Sequence, residues 1–460
     1  MTLPPLEMVR LDNGFRALLV PRQSLPVVAT VMWYEVGSRD ERTGETGVSH
    51  FLEHMMFKGT PAFAKGQIDL QTSKMGGNNN AFTDVDGTAY YFHLAADRWD
   101  TALEIERSRM RDCLLDPLEF ASEKNVVLEE LAMGEDDPWR PLLHAAEGLL
   151  WQVHPYHHPV IGWKQDLERL SVGQMRDYYD RHYGPNRAFL TVAGAIDVPR
   201  TTARIHELFG NLPASAIARS EVLTEPAPGG ERRAELRTPH SVARLCMAFP
   251  TCRVGEADDY ALDVLAHELG LSKNSRLYRR LVLADEAVTE VSVINETRRD
   301  PGALLLICEL RDGVSPKQVE RAIREEIDGL IAEGVGKAAL RRIRAQIRSS
   351  FLLQDEAVLD QALKVARFEA LAPGGHATLA TVLPTYDALD GKTLRAVAAK
   401  YFDFKKAVIV WALPAVAEVA MPKRVKGRPA APKQRRPAAA KTVSQRKPKP
   451  SRRGGARRSS

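Results

Sequence analysis

The chain has 460 residues, 44% of them hydrophobic and 27% charged, and a formal net charge of +5. This length is too great for one core, so two or more domains are expected, and the composition is that of an ordinary globular protein. The charge is uneven: residues 421–460 hold 15 Lys or Arg and no acid, and removing these 15 from the 64 basic residues leaves 49 against 59 acids, or −10, in residues 1–420.

Met1 to Pro5 opens without a basic region followed by an apolar core. No secretory signal is expected, which makes the cytosol the expected compartment, or the periplasm if the true start lies upstream. Residues 15–20 and 27–36 read as strands, rich in Val, Leu and aromatic residues. A loop over 37–41 leads to the stretch Gly47 to Met56, where Thr46 is placed to cap a helix with Val48, Leu52, Met55 and Met56 as its apolar face.

On that helix His50 and His54 are four residues apart and emerge on one face, which lets two imidazoles reach one metal ion. Glu53 lies on nearly the same face, placed to take a proton from metal-bound water. This is the chemistry of the zinc-peptidase motif H-E-x-x-H with its order reversed. An unpaired carboxylate in an apolar run is costly to bury, so Glu53 needs a partner or a chemical task.

A second amphipathic helix is predicted over 66–75 and a turn-rich break over 76–80. Strands follow at 82–83 and 88–95, then helices at 97–113 and from Pro117 to about Glu135. Helical patterns continue at 140–152 and 171–182, with a short buried strand at 188–195. Between the helices, His154 to His158 looks like a metal cluster, but Pro155 and Pro159 argue against a helix and a surface loop is expected. Catalytic zinc takes three protein ligands and an open position. The best source of a third ligand is the acidic run from Glu123 to Leu131, where Glu123 and Glu130 share a face and Glu129 points about 100° away from Glu130.

Residues 214–231 read as a linker. Beyond it the order recurs: a strand at 242–249, helices at 258–269 and 275–283, strands at 288–295 and 303–310, helices at 315–333 and 336–353. The expected fold class is α+β, built from two similar halves. The expected domains are 1–213 with the zinc site, the linker, 232–420 without it, and a disordered basic tail over 421–460. The second half has only His267 and Glu268 near the matching helix. Ala407 to Met421 is the nearest approach to a membrane span, but Pro414 and Glu418 break it. The tail is suited to anionic surfaces, and without interleaved aromatics no specific nucleic-acid partner is expected. Cys113, Cys246, Cys252 and Cys308 are scattered and read as reduced thiols.

His50 to His54, followed 76 residues later by Glu130, resembles the insulinase/pitrilysin family of zinc peptidases, in the branch of the mitochondrial processing peptidase β subunit and its bacterial relatives. Val36 to Glu41, Met55 to Thr60, Gly76-Gly77 through Asn80 to Thr83, and Tyr183 to Arg187 match in order. The resemblance covers roughly residues 8–415 and is more specific in the first half.

It implies one Zn²⁺ per chain held by His50, His54 and Glu130, with Glu53 as general base. It also implies that Glu123 orients a ligand histidine, and that Asn80, Ala81 and Phe82 lie at a substrate-binding edge strand. The family uses an Arg and a Tyr from the second half, sometimes on a partner chain, and Arg276 and Tyr278 are candidates by residue type. The implied activity is endopeptidase action on extended or unfolded peptides, in a homodimer or a heterodimer with an inactive companion subunit. The alternatives are a non-catalytic assembly subunit of the same fold and an adaptor acting through the tail. The acidic body hints at basic peptides.

Overall fold

The computed structural model describes residues 5–215 and 223–415. The expected tail over 421–460 and part of the expected linker lie outside the described residues.

The first sheet has six strands: β1 (Glu7–Arg10), β2 (Arg16–Pro21), β3 (Val27–Tyr34), β4 (Asn78–Thr83), β5 (Thr88–Ala95) and β6 (Ala188–Gly194). Their order across the sheet is β1-β2-β6-β3-β5-β4. The second has β7 (Arg232–Thr238), β8 (Arg244–Pro250), β9 (Val288–Glu296), β10 (Ala303–Leu310) and β11 (Val408–Pro414), in the order β7-β11-β8-β10-β9. Setting β2 to β6 against β7 to β11 gives the same order, with β2 parallel to β6 and β7 parallel to β11. The remaining pairs in each set are antiparallel. The chain is therefore a duplicated α+β fold.

The halves exchange helices. Arg140–Leu150 belongs to the first half, yet Leu142, Ala146 and Leu150 pack with Cys246, Ala248, Val408 and Val410 of the second sheet. Val358–Leu371 belongs to the second half, and Ala362, Val365 and Ala366 pack with Leu18, Val31 and Phe189 of the first sheet. Each of these side chains is worth roughly 1–3 kcal/mol when buried, so the exchange holds the halves together by apolar area.

Three local expectations change. Asn78 to Asn80 belong to strand β4, and the break shrinks to Gly76-Gly77. His154 to His158 is no surface loop: it forms a 3-10 turn (Pro155–His157) with His154, Tyr156 and His158 buried. His154 Nε2 lies 3.0 Å from Asp300 of the second half, so the turn fastens the two halves. Thr46 does not cap the histidine helix, for reasons given below. All four cysteines are buried and free of disulfides. Among the described residues, no helix is long and apolar enough to cross a membrane.

Candidate metal centre

The histidine helix spans Val48–Met55 and turns Val48, Phe51, Leu52 and Met55 into the core. Its N-cap is Gly47 at φ +88°, where a Cβ would stand 2.3 Å from the Ile161 carbonyl, so only glycine fits. The orphan N–H groups of Gly47 and Ser49 are taken by the Glu41 carboxylate, each at 2.8 Å. Thr46 points elsewhere: its hydroxyl donates to Asp166 at 2.6 Å and accepts from the Trp163 N–H at 3.0 Å.

His50 and His54 emerge from the opposite face with ring centroids 4.8 Å apart. Pro117–Glu135 is the facing helix, started by Pro117 and capped by Asp116, whose carboxylate accepts from Leu118 and Glu119 N–H. It brings Glu130 Oε2 to 3.8 Å from His50 Nε2 and 3.6 Å from His54 Nε2.

These distances are too long for hydrogen bonds. They are close to the edge of roughly 3.4 Å between ligand atoms in a tetrahedron with bonds of 2.0–2.1 Å. His50, His54 and Glu130 are the only group among the described residues whose ligand atoms lie within 4.8 Å of one another.

Glu123 accepts from His54 Nδ1 at 3.0 Å, which fixes the tautomer and leaves Nε2 free to ligate. Lys58 binds the other Glu123 oxygen at 2.5 Å. Burial pushes the Glu123 pKa up, but the bonds from Lys58 and His54 outweigh it and hold the group below its ordinary value. His50 is lowered to about 4 by burial, by His54 and by Arg140, so it is neutral with its lone pair available at pH 7. The donor set of two imidazoles and one carboxylate suits Zn²⁺.

Glu53 lies beside the pair. Burial raises its pKa, countered in part by a hydrogen bond from Thr83 Oγ1. Thr83 belongs to β4, which among the described residues pairs only with β5 and so is the edge strand of its sheet. Asn80 is on this edge and bonds the Ala81 N–H through its own side chain. Ala81 packs toward the first core, while Phe82 turns to the other face against Trp33, with ring centroids 5.7 Å apart.

Arg276 and Tyr278 are engaged within the second half. Arg276 pairs with Glu333 at 3.1 Å and Glu268 at 3.5 Å, and Tyr278 packs on that half's core. None of these contacts reaches the histidine pair. Sequence reasoning passed over two residues. Thr83 closes the Asn80 to Thr83 stretch of the resemblance, but nothing in the sequence sets its hydroxyl opposite Glu53. Arg140, close enough to depress His50, stood in no pattern.

Residues 17–162 match the family model described as Insulinase (Peptidase family M16), and residues 169–347 match the one described as Peptidase M16 inactive domain. The chain is 28% identical over 400 residues to "Uncharacterized zinc protease YmxG" of Bacillus subtilis, covering 86% of this chain and 96% of that protein. It is 26% identical over 413 residues to "Probable mitochondrial-processing peptidase subunit beta, mitochondrial" of Arabidopsis thaliana, covering 87% and 77%. A solved structure of a protease from Helicobacter pylori superposes with a TM-score of 0.86 at 25% identity, covering 90% of this chain and all of that one.

Proposed function

The chain belongs to the insulinase family, peptidase family M16, and on that premise we propose that it is a zinc-dependent endopeptidase of extended or unfolded peptides. The observation that carries this reading is the joint placement of His50, His54 and Glu130 around one point, with Glu53 one residue before His54 on the same helix. Zinc bound there would polarise the scissile carbonyl and make water a stronger acid.

The chain's own residues supply the rest. Glu53, whose pKa is raised by burial, takes a proton from the attacking water and returns it to the leaving amine. Thr83 holds the Glu53 carboxylate toward β4. A peptide adding to the edge of β4 would be held by main-chain bonds, which favours extended segments over folded ones.

Arg276 and Tyr278 are tied up within their own half, so the substrate-facing Arg and Tyr that the family uses would be other residues, and a second chain is one source of them. That supports a homodimer or a heterodimer with an inactive companion. The basic tail would be accessory, so deleting 421–460 should leave cleavage of short peptides nearly unaltered.

The test is Glu53→Gln in the zinc-loaded chain, assayed on an unstructured peptide. General-base loss should cost about 10²–10⁴ in rate while zinc stays bound. Activity surviving that change, or a purified chain with no zinc affinity, would favour the non-catalytic assembly subunit.

A further inference from the structure

Beside the metal centre lies a cavity of about 520 Å³, lined among others by Gly134, Arg140, His144, Trp163 and Lys164. It adjoins the site through the helix that carries Glu130. Gly134 follows Glu130 by four residues, so it lies on the same face about 6 Å further along. Gly134 is buried, and a Cβ there would meet Arg140 Nη1 at 2.2 Å. A glycine inside a helix is less favourable than an alanine. Here its bare backbone is the seat of the Arg140 guanidinium.

Arg140 is near enough to depress both His50 and His144. Burial first, and then Arg140, keep His144 neutral. Among the described residues neither Arg140 nor Lys164 has an ion pair or donates a side-chain hydrogen bond, although the Asp137 carboxylate is within electrostatic reach of Arg140. Glu135, the acid lining the cavity, stands exposed at its rim, as do Arg140, Trp163 and Lys164. A guanidinium without a fixed partner, a lysine and an indole around one cavity form a receptor for a planar carboxylate.

We propose that this cavity holds a carboxylate of the peptide substrate, bound by Arg140 with help from Lys164. The inference rests on the peptidase reading above. The recognised group lies away from the scissile bond, toward the end of the helix that carries Glu130. It is either an acidic side chain or the free C-terminus. The net charge of residues 1–420 hints at basic peptides, but at a few ångströms the local charge outweighs the distant, screened field.

The test uses the full zinc-loaded chain carrying Glu53→Gln, so that bound peptide persists. Binding of a fluorescent twelve-residue unstructured peptide is compared in two matched pairs: Glu against Gln at successive central positions, and free against amidated C-terminus. The acid member of at least one pair should bind about tenfold tighter, and which pair responds identifies the source of the carboxylate. Adding Arg140→Gln should bring that ratio close to one, and Arg140→Glu should invert it. Gly134→Ala, which dislodges Arg140 without removing it, should also flatten the ratio.

Equal binding within both pairs, or a preference that persists in Arg140→Gln, overturns the proposal. The underlying reading is judged separately on the parent chain. Cleavage without an acid preference removes only the pocket, whereas an acid preference without cleavage removes only the peptidase.

Discussion

Glu123 holds Nδ1 of His54 at 3.0 Å while Lys58 holds the far side of the same carboxylate, so the imidazole is oriented before any ion arrives. A ligand that is already oriented loses little rotational freedom on binding. Glu123→Gln should therefore weaken zinc affinity about 10- to 100-fold with the fold intact, as read by chelator competition. Lys58→Met should weaken it less, because the Glu123 contact to His54 survives. Unchanged zinc affinity in Glu123→Gln would show that the carboxylate plays no part in setting the ligand.

Below the site, Arg109 and Glu106 form an ion pair with side chains 1% and 0% exposed. The guanidinium is roofed by the rings of Tyr90 at 4.5 Å, Phe57 at 5.2 Å and Phe92 at 5.5 Å. Removing one partner leaves the other charge buried alone. Arg109→Met should cost about 3–5 kcal/mol in urea unfolding, and adding Glu106→Leu should recover much of it. Equal destabilisation in the single and double variants would mean that Arg109 acts through packing alone.

The histidine helix and the acidic helix were legible because their signals are local: Pro117 behind Asp116 marks a start, and two histidines at helical spacing mark a face. The Val358–Leu371 helix carried no such contrast. It is buried between the halves on several sides by Val358, Ala362, Val365 and Ala366, which blurs a single apolar stripe. Strand β11 is a nearly uninterrupted apolar run, and such a run does not distinguish a strand from a helix by period. Capping by Glu41 in place of Thr46 was hidden for a different reason. The carboxylate reaches Gly47 and Ser49 only because the intervening loop doubles back. Among the site residues, the histidine pair follows from spacing and Glu130 from the family resemblance, whereas Arg140 becomes visible only once Gly134 is seen beneath it.

His182 is buried against Tyr178, with ring centroids 4.4 Å apart, and its pKa is lowered to about 3 by burial and by Arg187, Arg181 and Arg42. A histidine depressed in the folded state binds its proton more readily when the chain unfolds. Its contribution to stability is therefore full above the unfolded pKa of about 6.5 and is lost as pH falls toward 3. One such proton sets a slope of at most about 1.4 kcal/mol per pH unit. Urea unfolding of the metal-free chain between pH 7 and 4.5 should show this loss, and His182→Phe should make the dependence shallower by up to one proton. An identical slope in the variant would show that His182 takes up its proton in the folded chain as readily as in the unfolded one.

Asp86, 3% exposed, ties the two halves through polar contacts where the exchanged helices tie them through apolar ones. It accepts from Tyr156 OH at 2.6 Å, from Arg39 at 3.1 Å and from the Arg299 backbone N–H at 2.8 Å, while Arg39 also reaches Asp300 at 2.6 Å. Asp86→Ala takes one partner from half-buried Arg39, which keeps Asp300, and one from the buried Tyr156 phenol, so a loss of about 3–5 kcal/mol is expected. Because the cluster is shielded from water, that loss should be nearly the same at 0.05 and 0.5 M salt. An exposed pair such as Arg348 and Asp387 should instead weaken with salt. A cost for Asp86→Ala that fades with added salt would place the cluster in contact with solvent and remove it from the junction that holds the halves together.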